Sequence, residues 1–210
     1  MINQNFWKEY NCIGIMGGTF NPIHNGHIML AKTAYEQFTD IEKIVFMPNA
    51  MPKYKDSEEV IDPAHRLAMV KIGIKDYDWA SHSDMEIKRG GLTYTYDTLK
   101  EIKRLNPGIR VYFIIGADSL ANIKTWFRYQ DVLYMCTLLV AKREGESIDI
   151  IAMGDKLMSE YKFCHIEYMD MEEYDASSTE IRLSVKRGIM PHNLLPKGVS
   201  DYITENKLYS

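Results

Sequence analysis

Cysteine is scarce. The 210-residue sequence holds three, Cys12, Cys136 and Cys164. They are far apart, odd in number and set in apolar, strand-like runs, and no CxxC pair occurs. This pattern excludes a disulfide framework and argues for buried free thiols in a reducing compartment rather than a redox or metal role. Long hydrophobic runs are also missing: none approaches the roughly 20 apolar residues of a membrane span. The first eleven residues carry charge and no long apolar stretch, so they are not a secretion signal. Together these absences predict a cytoplasmic protein with no membrane partner. Basic charge is not in excess. Lys and Arg number 25 against 29 Asp and Glu, a formal net charge of −4. That excludes a nucleic-acid partner held by bulk electrostatics but leaves room for a local cationic pocket. No internal repeat, low-complexity segment, GxxxxGK[ST] loop or GxGxxG fingerprint is present, so P-loop and dinucleotide-dehydrogenase readings lose support.

What is present is a rhythm of short apolar runs and amphipathic stretches. Residues 12–16, 43–47 (KIVFM), 110–115 (RVYFII) and 137–141 (TLLVA) read as buried strands, with further strands expected at 79–87 and 163–168. Helices are expected at 26–38, from Asp62-Pro63 to about residue 74, at 96–105, 149–161, 178–187 and 199–206. Asp62 is the N-cap and Pro63 the first helical residue of the second of these. Apolar strands that do not alternate, separated by helices, signal a parallel sheet covered on both faces. The predicted fold is therefore α/β, doubly wound, with helices on both faces. Its length suits one domain over 1–210, whose residues from about 176 onward form a helical part. In such folds ligands bind beyond the carboxyl ends of the strands. That places the loops after Met16, Met47 and Ile115 at one edge.

The first of these loops carries the chemistry. Gly17-Gly18-Thr19-Phe20 comes directly after a strand, and His24-Asn25-Gly26-His27 opens a helix. The glycines let the backbone approach a ligand closely. Two histidines three apart fall on one side of a helix start near Asn25. A helix N-terminus favours anions, and two imidazoles there suit the phosphate oxygens of a nucleotide and the charge that builds in phosphoryl transfer. An isolated His-x-x-His pair is otherwise a surface or metal pair, but two ligands make no zinc site and no third Cys or His stands nearby.

The segment Gly17 to His27 resembles the (T/G)-x-F-x-P-x-x-x-G-H signature of the nucleotidyltransferase superfamily, in the form found in bacterial nicotinate-mononucleotide adenylyltransferases. A second signature agrees: Ser177-Ser178-Thr179-Glu180-Ile181-Arg182 is similar to the family's ISSTxIR motif, with Ala176 where isoleucine is usual. Similar segments lie between them at Thr93 to Leu99 and Gly116 to Leu120, with Trp126 beyond. The resemblance implies adenylyl transfer from ATP to nicotinate mononucleotide, giving deamido-NAD and pyrophosphate. It implies that ATP is held by Gly17, Gly18, Thr19, Phe20, His24, His27, Gly116, Asp118, Ser178, Thr179 and Arg182. His24, His27 and Arg182 act in catalysis, and Asn21, Lys53, Thr95 and Trp126 face the mononucleotide. Mg²⁺ is expected to arrive with ATP, and no residue is assigned as its ligand.

Plainer alternatives stand beside these roles. Ser177 to Glu180 is also an N-cap pattern. Asp118 also suits the cap of a helix over 119–124, Trp126 the core, and Lys53 and Lys55 a solvated surface. The family usually has a Pro-Pro-His-Lys-like segment where this chain has Met51-Pro52-Lys53-Tyr54-Lys55. His65 and Arg66 are expected on the surface of their helix, and His82, His165 and His192 have no motif around them. Other acceptors remain open, such as nicotinamide mononucleotide or phosphopantetheine, as does a nucleotide-binding regulatory module without catalysis. A homo-oligomer is compatible with the sequence.

Overall fold

The computed structural model describes residues 5–51, 60–142, 147–171 and 174–210. Lys53, and most of the 49–62 loop, lie outside these residues. The chain runs α1 (Phe6–Glu9), β1 (Cys12–Gly18), α2 (Asn25–Gln37), β2 (Lys43–Pro48), α3 (Pro63–Ile74), β3 (Ala80–His82), α4 (Met85–Arg89), α5 (Thr95–Leu105) and β4 (Arg110–Gly116). It continues through α6 (Ala117–Ala121), a 3₁₀ turn (Ile123–Thr125), α7 (Tyr129–Met135), β5 (Thr137–Lys142), α8 (Ser147–Glu160), β6 (His165–Asp170), α9 (Ser178–Lys186) and α10 (Val199–Glu205).

The six strands form one parallel sheet in the order β3-β2-β1-β4-β5-β6. The chain moves outward from β1 in one direction, then returns and moves outward in the other. The break between β1 and β4 is the switch point, where a cleft opens beyond the strand ends. β1, β2 and β5 are buried on both sides along most of their length, which is why their residues are apolar without alternation, whereas β6 alternates exposed and buried positions. Ile13, Ile15, Val45, Val111, Phe113 and Val140 face a core closed by Leu99 and Ile102 of α5, Val132 of α7 and Leu157 of α8. Cys12, Met16, Ile44, Phe46, Ile114 and Leu139 face the other core. It is closed by Ile28 and Ala31 of α2, Met69 and Val70 of α3, Ile181 of α9 and Val199 and Ile203 of α10. The doubly wound expectation holds.

Boundaries hold where local chemistry sets them. Asp62 Oδ1 accepts from Ala64 N at 2.7 Å and Pro63 starts α3. The three cysteines are free and buried. The expected strand at 79–87 is corrected: only Ala80–His82 pairs with β2, and α4 comes next. Ser83 Oγ accepts from Met85 N at 3.2 Å, a local turn that ends the strand. The last strand begins at His165, two residues later than expected, and α1 and α7 are additional to the expected helices. Asp118 lies in the first turn of α6, whose N-cap is Gly116, so it caps no helix over 119–124.

Candidate active site

Two adjoining cavities occupy the switch point. The larger, about 460 Å³, is lined by Met16, Gly17, Gly18, Thr19, His27 and Asn49, and by Thr93, Tyr94, Thr95, Trp126 and Phe127. The size is that of an ordinary ligand pocket. The smaller, about 180 Å³, includes His24, Gly26, His27, Gly116, Asp118 and Tyr174 in its wall. His27, Leu30 and Gly116 line both.

Helix α2 places the histidines. His24 is its N-cap in an extended conformation, and its backbone N–H donates to His27 Nδ1 at 3.2 Å. The His27 ring therefore supplies the cap that the N-terminal N–H requires. The two rings stack with centroids 3.7 Å apart, and Phe20 meets His27 edge-on at 5.1 Å. Because His27 Nδ1 accepts, the proton of the neutral ring sits on Nε2. His24 is only 8 % exposed, and its Nδ1 has no hydrogen-bond partner among the described residues. Burial holds its imidazole down to about 4, so it is neutral at pH 7. Gly26 suits the same packing: a Cβ there would lie 3.1 Å from His24 Nδ1 and 3.3 Å from a Tyr174 ring carbon, tighter than ordinary contacts. At Gly116 a Cβ would meet nothing within 4 Å, and its backbone borders both cavities.

The structure thus gathers Gly17, Gly18, Thr19, His24, His27, Gly116, Asp118, Thr95 and Trp126 around one space. Five other expected site residues, Phe20, Asn21, Ser178, Thr179 and Arg182, line neither cavity. Phe20 is buried behind His27. Asn21 is 1 % exposed, and its Oδ1 accepts from Tyr209 OH at 2.9 Å and Ile61 N at 3.4 Å, so its expected contact with the mononucleotide is corrected to an internal one. Ser178 Oγ donates to Pro22 O at 3.0 Å instead of capping α9. Arg182 Nη1 donates to Asn21 O at 3.1 Å, and Nη2 reaches Thr179 Oγ1 at 3.5 Å. The second motif therefore grips the first. Asn25 adds to the grip, with N donating to Leu194 O at 2.8 Å and Nδ2 to Asn193 O at 2.9 Å.

Arg66 and Glu86 are not marked by the sequence motifs. Arg66, expected at the surface, is fully buried. Periodicity carries the signal: Arg66 shares the buried stripe of α3 with Met69, Val70, Gly73 and Ile74. Glu86, 5 % exposed, lines the larger cavity and accepts from Thr98 Oγ1 at 2.6 Å. Burial pushes its carboxyl from 4.5 up to about 7, against the opposing pull of Thr98 and Arg89. No sequence signal marks it, because its helix falls inside the strand expected at 79–87.

His24 and Glu86 give stability opposite pH dependences. A depressed histidine contributes stability above its unfolded value that is lost as pH falls toward about 4. A raised carboxyl contributes stability below 4.5 that is lost as pH rises through about 7. Glu86→Gln keeps an acceptor for Thr98 and removes the buried charge. Its stability relative to the parent is expected to rise by about 2 kcal/mol between about pH 5 and about pH 8, since each tenfold change in proton affinity corresponds to about 1.4 kcal/mol. Urea midpoints at the two pH values measure this, and a difference independent of pH would contradict it.

Residues 15–184 match the family model described as cytidylyltransferase-like. A relative from Lachnoclostridium phytofermentans, named a probable nicotinate-nucleotide adenylyltransferase, is 39 % identical over 197 residues, 94 % of this chain and 98 % of its own. One of the same name from Citrifermentans bemidjiense is 37 % identical over 94 % of this chain and 97 % of its own. The nicotinic acid mononucleotide adenylyltransferase of Plasmodium falciparum, solved in complex with NaAD, superposes with a TM-score of 0.76 at 22 % identity over 95 % of this chain and 98 % of its own, and so shares the fold. No helix among the described residues is long and apolar enough to cross a membrane. Motifs, fold and relatives converge, and the chain belongs to the cytidylyltransferase-like family, among its nicotinate-nucleotide adenylyltransferases.

Proposed function

We propose that the chain transfers the adenylyl group of ATP to nicotinate mononucleotide, giving deamido-NAD and pyrophosphate. The observation that carries this reading is the larger cavity, where the histidine-bearing N-terminus of α2 and the aromatic wall at Trp126 face one space. The relatives' names and the fold shared with an NaAD complex support it.

An oxygen of the mononucleotide phosphate attacks the α-phosphorus of ATP. The bond to the β-phosphate oxygen breaks, and pyrophosphate leaves. The attacking phosphate is already ionised, so no general base is needed. The protein must align two anions and offset their repulsion. His27 Nε2–H is the side-chain donor for the triphosphate, with the positive end of the α2 dipole behind it. His24 enters neutral, and a neighbouring polyanion draws its proton affinity upward. Arg182 supports the departing pyrophosphate from behind the first loop. Among the described residues no group of three or more His, Cys, Asp or Glu could hold a metal ion. That donor set fits Mg²⁺ carried by ATP oxygens and water, where it would neutralise phosphate charge, with Asp118 the carboxylate on the smaller cavity's wall.

Trp126 packs edge-to-face on Phe113 at 6.1 Å and lines the cavity. Stacking on a heteroaromatic ring is worth about 1–3 kcal/mol. Trp126→Ala should therefore raise KM for the mononucleotide about tenfold or more while KM for ATP changes little. Steady-state titration of each substrate measures it, and equal changes in both would remove Trp126 from the pyridine site.

The acceptor is tested by comparing kcat/KM for nicotinate and nicotinamide mononucleotides at saturating ATP. A clear preference for nicotinate is expected. Equal efficiencies would leave adenylyl transfer standing and remove the nicotinate assignment.

A further inference from the structure

Arg66 is the largest charged side chain sealed from solvent among the described residues. Its guanidinium has five N–H donors, and all five are used. Nε donates to Ile61 O at 3.2 Å. Nη1 donates to Thr19 O at 2.7 Å and Asn49 Oδ1 at 3.2 Å. Nη2 donates to Asn49 O at 2.7 Å and Ala50 O at 2.9 Å. Four acceptors are backbone carbonyls and the fifth is an amide oxygen. No carboxylate pairs with it among the described residues.

A buried cation without a counter-charge is costly, by several kcal/mol even after relaxation. A structure that only needed to fill this space would do so with an apolar side chain. What the guanidinium supplies is fixed geometry among the loop after β1, the start of the loop after β2 and the entry to α3. Its planar fork holds them as a lysine ammonium cannot.

Two of those segments form part of the cavity wall. Thr19 and Asn49 line it directly. Asn49 Nδ2 also donates to Thr19 Oγ1 at 3.3 Å. Ala50 N donates to Thr93 Oγ1 at 3.1 Å, and Thr93 and Thr95 also line the cavity. A continuous path of hydrogen bonds thus runs from the Gly17–Thr19 side through Arg66 to the Thr93–Thr95 side. We infer that Arg66 is a positioning residue for adenylyl transfer: it sets the spacing between the two substrate walls without touching either substrate. The inference rests on the proposed activity, because only a two-substrate reaction needs both walls in register.

The test uses Arg66→Lys, which keeps charge and loses the fork, and Arg66→Gln, which loses both. Turnover with ATP and nicotinate mononucleotide is measured per folded molecule, with the folded fraction taken from circular dichroism. Misalignment of about 1 Å costs on the order of 10²-fold. Both variants are expected to lose about that much in kcat while each KM moves by less than about fivefold. A side chain that merely fills space would instead lower activity only in proportion to the unfolded fraction, and a kcat per folded molecule within about threefold of the parent overturns the inference. Should a variant fail to fold, trimethylamine oxide restores compactness without restoring the five bonds, and the same criterion applies. Hydrogen exchange gives a readout independent of turnover: the Asn49 and Ala50 amides, bonded to Gly18 O and Thr93 Oγ1, should exchange at least about tenfold faster in Arg66→Lys, with sheet amides such as Val45 unchanged. Unchanged exchange at both positions overturns the inference even if the parent proves inactive, whereas an inactive parent by itself counts against the proposed activity.

Discussion

Replacing His27 by alanine should lower kcat by about 10²–10³-fold, the loss seen when one preorganised donor to a developing charge is removed. The structure narrows why. His27 lines both cavities, and its Nδ1 is committed to the His24 backbone, which leaves Nε2–H as its donor. The position is fixed by that bond, by stacking on His24 and by the edge of Phe20. A donor fixed before the reaction stabilises transition-state charge with no reorganisation. The loss should therefore fall on kcat and kcat/KM together, with KM for ATP little changed. The substitution also removes a helix cap, at about 1 kcal/mol, too little to unfold the chain. Steady-state kinetics with a melting curve separates the two effects. A raised KM at unchanged kcat would reassign His27 to ground-state binding, and near-parent turnover would remove it from the reaction.

Arg182→Ala should lower kcat/KM by about 10²-fold, by a different route. The guanidinium donates to Asn21 O, and Ser178 beside it donates to Pro22 O, so the second motif holds the first at 21–22. Charge-assisted bonds of this kind contribute about 1.5–3 kcal/mol. Arg182→Lys keeps the charge but not the planar donor pair, and it should recover only part of the loss. Full recovery in Arg182→Lys would mean that charge alone matters and that the contact with Asn21 does not.

Much of the fold is legible in the sequence because its signal is local. Residues 43–47 and 110–115 are continuous apolar runs, the pattern of a strand buried on both faces. Asp62-Pro63 fixes the start of α3 through chemistry inside one turn. The errors fall where tertiary partners decide. Ala80–His82 is three residues long, and the next segment is a helix because Ser83 turns the chain and Glu86 finds Thr98 twelve residues away. The site divides along the same line. The glycines, His24 and His27 are legible from their spacing around a strand end and a helix start. That Ser178 and Arg182 hydrogen-bond to the first loop is not, since it depends on how α9 docks some 156 residues later in the chain. Nor is the burial of Arg66, whose charge argues for the surface until its five acceptors are in place.

The central claim is that the cleft at the β1–β4 switch point joins ATP to a pyridine mononucleotide. Its most direct test is pyrophosphate release from ATP by the purified protein, with nicotinate mononucleotide, nicotinamide mononucleotide and phosphopantetheine offered in turn as acceptor and the product identified by mass. Pyrophosphate and deamido-NAD are expected in equal amounts with nicotinate mononucleotide, with slower release for the nicotinamide form and none for phosphopantetheine. No pyrophosphate with any acceptor would contradict the claim and leave a nucleotide-binding module.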